Sequence, residues 1–266
     1  MYLEKDDVSL YYESRGSGDA LLLIHGVIVD AGLFSAAAEI LSRHYQVITF
    51  DRRGNSRSTL RAEKAFSMED QVRDIRDLLD HLGIERAFVV GASAGAVVGE
   101  YFMECFPERV RHLVMYEPAM LGYMVREPEV KAWTEKMQAL IEKKKYNSAI
   151  LQFALHIASF DERSPKKSQE DSMREMNNHI YALTVEFPGM LYYEPDLEKM
   201  KKNAARITLA AGERSKDTVY RRCSGLLAGE IGKECVFFPG YHNLPYDLPV
   251  EFAVCVAGVI ELLRED

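Results

Sequence analysis

Gly91-Ala92-Ser93-Ala94-Gly95 is the stretch whose residue types and spacing point most directly to chemistry. It reads G-x-S-x-G, after the apolar run Phe88-Val89-Val90 and before a helical pattern over Ala96 to Cys105. A serine on such a sharp strand-to-helix turn, the nucleophile elbow, holds its hydroxyl clear of the sheet on strained backbone. Larger side chains at Gly91 or Gly95 would collide with neighbouring backbone. The helix that follows points its N-terminal amides at the serine, which favours developing negative charge. The plainer alternative is a glycine-rich turn whose serine only caps a helix. The strand before it, the helix after it and a histidine far downstream in the loop Gly240-Tyr241-His242 argue against that.

The surrounding pattern supplies the elements that must position this serine. Strands are predicted over Val8–Glu13, Asp19–Gly26, Gln46–Phe50, Arg86–Ala92, Arg111–Tyr116, Arg206–Ala211 and Glu234–Phe238. The run Ala20-Leu21-Leu22-Leu23-Ile24 is apolar throughout, as in a parallel strand covered on both faces. Helices are predicted over Leu33–His44, Ser67–Leu82, Thr218–Ala228 and Val250–Leu263. Ser67 and Asp70 form a capping-box-like start and Gly83 a stop. This alternation predicts βαβ units in a parallel sheet. From Ala119 to about Asn203 strand signals vanish. Val130–Lys143, Ser148–Phe160 and Ser168–Tyr181 have helical periodicity instead, as expected of a helical insertion.

Bulk properties narrow the function classes. The chain has 266 residues, 47% hydrophobic and 28% charged, an ordinary globular composition. A net charge of −8 argues against a nucleic-acid partner. The four cysteines, Cys105, Cys223, Cys235 and Cys255, form no C-x-x-C pair. They are expected as buried or half-buried thiols, three on helices and Cys235 on a strand, which suits a reducing compartment. The charged start Met1 to Asp7 does not read as a secretory signal, and Phe252 to Ile260 is too short to span a bilayer. A cytoplasmic protein without membrane partners is expected. No phosphate-binding loop or His-x-x-x-His pair is present in the sequence, so neither a metal nor another cofactor is expected.

Four motifs in fixed order carry a family resemblance. They are His25-Gly26-Val27 after a strand, Asp51-Arg52-Arg53-Gly54-Asn55-Ser56-Arg57-Ser58, the elbow Gly91 to Gly95, and Pro239-Gly240-Tyr241-His242. Together they resemble the α/β-hydrolase superfamily over nearly the whole chain. The resemblance implies an α/β core of residues 1–118 and 204–266, with a mostly parallel sheet, and a helical lid over 119–203. It implies Ser93 as nucleophile and His242 as the base that a serine hydroxyl needs. The backbone amides of Val27 and Ala94 would form the oxyanion hole, with His25-Gly26 supporting that loop.

The acid of the triad is the departure. The resemblance places a carboxylate three residues after Gly212, where Ser215 stands. Glu117, Asp217 and Glu213 are the replacements, and Glu117, at a strand end before Pro118, is favoured to hold the imidazole in one tautomer. Asp51-Arg52-Arg53-Gly54 is read as a structural ion-pair network. Met120, Leu121, Met124, Trp133, Met137, Phe153, Phe160 and Tyr181 supply apolar surface, as packing or as pocket lining above Ser93. His156 and His179 are further pocket residues to consider.

The expected activity is hydrolysis of a small, mostly apolar ester or related acyl compound. One fold hosts many reactions, so thioesterase, acyltransferase, lyase and cofactor-free peroxidase chemistry stay open. A ligand-binding receptor with a vestigial triad also stays open, because of Ser215. A small-molecule substrate is the expected partner, and a homodimer is left open.

Overall fold

The apolar run Ala20–Ile24 forms a strand that is buried throughout. Leu22 and Ile24 enter one apolar core and Leu21 and Leu23 another, as the two-residue period of a strand requires. A sheet covered on both faces therefore organises the molecule. A computed structural model describes residues 1–62, 64–157 and 161–265.

The strands are β1 (Tyr2–Glu4), β2 (Val8–Arg15), β3 (Ala20–Ile24), β4 (Gln46–Phe50), β5 (Thr59–Leu60), β6 (Ala87–Ala92), β7 (Val110–Tyr116), β8 (Ile207–Gly212) and β9 (Val236–Phe238). Their order across the sheet is β1-β2-β4-β3-β6-β7-β8-β9, with β5 on β2. From β4 to β9 every pairing is parallel, and β1, β2 and β5 add antiparallel pairings at one edge. This is the α/β-hydrolase fold expected from the sequence.

The helices of the core are α1 (Ser35–Leu41), α2 (Met68–His81) and α3 (Ala94–Cys105). Between β7 and β8 come α4 (Leu121–Met124), α5 (Pro128–Glu142), α6 (Tyr146–Ile157), α7 (Gln169–Tyr181), α8 (Phe187–Met190) and α9 (Leu197–Lys202). The chain closes with α10 (Val219–Glu230), α11 (Leu244–Asp247) and α12 (Pro249–Glu265). Apolar faces of α2, α3 and α10 cover one side of the sheet, and those of α1 and α12 the other. None of the described helices is long and apolar enough to cross a membrane.

Helix α2 starts as its sequence dictates. The Ser67 side chain accepts from the Asp70 amide at 3.2 Å. Its hydroxyl donates to Glu69, however, so Asp70 is not the reciprocal partner and pairs with Arg73 instead. Gly83, at φ +66°, ends the helix.

The helices between β7 and β8 pack onto the core. Met120, Leu121, Met124, Met137 and Phe153 are buried in the same apolar cluster as Val97 and Phe102 of α3, and Trp133 packs against it. Packing is thus the main use of that apolar surface; Phe160 lies outside the described residues. Two cysteines depart from expectation. Cys105 is exposed at the end of α3, and Cys235 precedes β9, which begins only at Val236.

Glu100 on α3 is buried and accepts from the Tyr193 hydroxyl. Burial raises its carboxyl to about 8. The native state therefore holds a proton that the unfolded chain releases above about pH 4.5, so stability falls as pH rises through the window from 4.5 to 8. Glu100→Gln keeps the acceptor and removes the titration. Its melting temperature should exceed wild type by several degrees at pH 9 and differ little at pH 5, as read by thermal denaturation at both pH values. An equal shift at both would contradict the burial account.

Candidate active site

Strands β6, β7 and β8 end in register, and that register assembles the site. Ala92 pairs with Tyr116, and Tyr116 with Ala210. Beyond the ladder, the Ser93 amide donates to the Tyr116 carbonyl and the Glu117 amide to the Ala210 carbonyl, each at 2.9 Å. The sharp turns that follow place both residues at positive φ, Ser93 at +57° and Glu117 at +45°. Such backbone costs about 1–3 kcal/mol per residue and persists only where the surroundings impose it.

The elbow leaves no room for larger residues. A Cβ on Gly95 would stand 2.0 Å from the Ile24 carbonyl oxygen, and one on Gly91 2.3 Å from that of Gly95. Ser93 is half-buried, and Ala94 opens α3, so its amide lacks an intrahelical acceptor. Gly26 lies directly alongside: a Cβ there would be 3.1 Å from the Ser93 Cβ and 3.5 Å from its Oγ. The Gly26–Val27 peptide thus adjoins the serine.

His242 follows β9. Its loop is fixed by the Tyr116 hydroxyl, which donates to the Tyr241 carbonyl at 2.6 Å. The imidazole Nδ1 lies 2.7 Å from Glu117 Oε2, and Oε1 of the same carboxylate accepts from the Gly212 amide at 2.9 Å. Glu117 is fully buried and His242 nearly so. A carboxylate at Nδ1 holds that proton and leaves Nε2 as the basic nitrogen.

Glu213 and Asp217, the other carboxylates considered, are exposed. Ser215 is buried, its Oγ without a partner among the described residues. The structure thus brings Glu117 and His242 together.

Histidine 25 is buried and serves the loop rather than a base. Its Nε2 accepts from the Arg52 amide at 2.9 Å, so Nδ1 carries the proton and donates to the Gly26 carbonyl at 2.7 Å. Burial, reinforced by the Arg52 charge, pushes its pKa down to about 3, so the ring is neutral. Arg53 forms two bonds to Asp74, at 2.7 and 2.8 Å, and Arg57 two to Asp51, at 2.7 and 2.9 Å. The structural network read from Asp51-Arg52-Arg53-Gly54 is present.

An aromatic wall was not legible in the sequence. Tyr220 packs on His242 with ring centroids 4.4 Å apart, and His156 meets Tyr220 edge-on at 5.6 Å. The His156 ring stacks on Trp133 at 4.0 Å. Burial, followed by the nearby His242 and Arg222, lowers His156 to about 4. It is neutral in the fold, so stability drops as pH falls from 6.5 towards 4. Trp133 is the only tryptophan in the chain and reports on this stack. Its emission should change with a midpoint near pH 4, and His156→Phe should abolish that step. A midpoint at 6.5 in a fluorescence titration would contradict the burial of His156. His179, half-buried on α7, has no described contact with this wall.

Comparison with known proteins bears on this arrangement. The profile of the alpha/beta hydrolase fold family matches residues 19–185. An uncharacterized hydrolase of Bacillus subtilis (strain 168), YraK, is 32% identical over 246 residues, covering 91% of this chain and 88% of its own. The chain belongs to the α/β hydrolase fold family. This hydrolase is also 34% identical over 119 residues to a zearalenone hydrolase of Cladophialophora bantiana, covering 43% of this chain and 45% of that protein. Among solved structures, one reported with carboxylesterases of the thaumarchaeon Nitrososphaera gargenis superposes with a TM-score of 0.77 over 100% of both chains, at 18% identity. That likeness is one of fold. The α/β hydrolase is thus an enzyme of the hydrolase class, with Ser93 and Glu117 just beyond the carboxyl ends of β6 and β7 and His242 in contact with Glu117.

Proposed function

We propose that the protein is a cofactor-free serine hydrolase acting on a small, mostly apolar ester or related acyl compound. Ser93 Oγ attacks the carbonyl carbon while His242 Nε2 takes its proton. The amides of Val27 and Ala94 receive the negative charge on the carbonyl oxygen. Collapse breaks the ester bond, and His242 returns the proton to the leaving alcohol. Water then attacks the acyl-serine through the same base, releases the acid and restores Ser93. Glu117 keeps the His242 tautomer and balances its charge. The helices of 119–203 act as a lid, and the wall of Tyr220, His156 and Trp133 favours an apolar acyl or alcohol group.

The observation that supports this reading most is the 2.7 Å contact between His242 and a buried Glu117 next to the strained Ser93 turn. It offers a carboxylate to His242 although Ser215 stands where the resemblance places the acid, and this favours the hydrolase over the receptor reading. The test is turnover of p-nitrophenyl esters from acetate to octanoate. Saturable hydrolysis favouring short apolar chains is expected, and absence of turnover across the series would refute the reading.

A further inference from the structure

The Gly26–Val27 peptide is gripped from behind. None of the described peptide bonds is cis, so the Gly26 carbonyl points opposite to the Val27 amide. That carbonyl accepts from His25 Nδ1 at 2.7 Å and from Arg52 Nη2 at 3.0 Å. Arg52 Nε also donates to the His25 carbonyl at 3.0 Å. Two donors on one end of a rigid peptide fix where its other end points. A guanidinium behind the carbonyl also polarises the unit, making the amide a stronger donor to an oxyanion.

Arg52 is fully buried, and a lone buried guanidinium is costly. Its partner is Glu186, also fully buried, at 2.5 Å from Nη1. Asn55 Nδ2 donates to the same Glu186 oxygen at 3.2 Å. Glu186 reaches inward from a π-helical turn, Ala182–Glu186, where the Phe187 amide bonds to the Ala182 carbonyl. Pro188 accounts for the turn: it has no N–H for the Thr184 carbonyl, and its ring clashes there in a regular helix. The two partners lie 134 residues apart, Glu186 among the helices between β7 and β8 and Arg52 beside the oxyanion loop.

We propose that Glu186 is a positioning residue for oxyanion stabilisation: it holds Arg52, which aligns and polarises the Gly26–Val27 peptide. The proposal rests on the serine-hydrolase reading and makes the seating of the helical insertion a condition of transition-state binding.

The test compares wild type, Glu186→Gln and the double variant Arg52→Met/Glu186→Met, which replaces the whole ion pair by apolar volume. Each is titrated with a fluorophosphonate for its active fraction, then assayed on p-nitrophenyl butyrate and with a trifluoromethyl ketone, whose adduct with the serine carries an oxyanion. In the double variant kcat per titrated site should fall about 10- to 100-fold, with KM within about threefold and ketone affinity reduced in proportion to kcat. Glu186→Gln, which keeps the side chain's shape, should lose about tenfold and decides the matter if the double variant does not fold. A folded variant with unchanged kcat and ketone affinity per titrated site overturns the proposal. A purely structural role would lower only the active fraction. If wild type itself is neither labelled nor active, the serine-hydrolase reading falls and this proposal with it; a normal wild type with an indifferent variant overturns the Glu186 assignment alone.

Discussion

Replacing Ser93 by alanine should lower kcat on a short-chain aryl ester roughly a millionfold, the scale set by loss of a triad nucleophile. The fold should survive. Alanine differs from serine by one oxygen, and the backbone bonds that impose the φ of +57°, from the Ser93 amide to Tyr116 and from the Ala119 amide to the Ser93 carbonyl, are untouched. Substrate should still bind, because the Gly26–Val27 peptide and the aromatic wall stay in place. The assay is steady-state hydrolysis beside a thermal melt. A Ser93→Ala protein that melts like wild type and keeps more than a few per cent of activity would remove Ser93 from the mechanism.

Glu117→Gln should produce the second largest loss. The Gly212 amide, which donates to Oε1 at 2.9 Å, fixes the side-chain oxygen of the new residue, so its NH2 group faces His242 Nδ1. An N–H donor there forces Nδ1 to accept and moves the imidazole proton to Nε2, the nitrogen that must take the serine proton. A wrong tautomer of this kind costs about 10⁴-fold in kcat with binding little changed. Asp217→Asn and Glu213→Gln should leave kcat within about twofold, since both carboxylates are exposed and neither bonds to His242. Kinetics on the three variants decide which carboxylate is the acid; loss confined to Asp217→Asn or Glu213→Gln would contradict the geometry.

Much of this arrangement was legible before any coordinates. Apolar runs and their spacing marked β2, β3, β4, β6, β7, β8 and the short β9, and the core helices; in β3, β6 and β8 burial on both faces leaves a nearly continuous apolar signature. The edge strands β1 and β5 escaped: Tyr2–Glu4 lies within the charged start, and Thr59–Leu60 is only two residues long. The elbow was plain because glycine, serine and glycine answer local steric demands. The acid was narrowed to three carboxylates, with Glu117 favoured for its place at a strand end before Pro118. Its contact with His242 depends on β7 and β8 ending in register, which places its Oε1 on the Gly212 amide and leaves Oε2 for His242. The stack from His242 through Tyr220 and His156 to Trp133 draws on four separate elements and has no sequence signature. The Arg52–Glu186 pair is equally long-range and has no signature in the sequence.

The central claim is that Ser93 is an activated nucleophile. The direct measurement is intact and peptide mass spectrometry after exposure to a fluorophosphonate, on wild type, Ser93→Ala and Glu117→Gln. The account predicts one adduct per wild-type chain, on the peptide containing Ser93, none on Ser93→Ala and markedly slower labelling of Glu117→Gln. An unlabelled wild type, or an adduct that persists in Ser93→Ala, would contradict it.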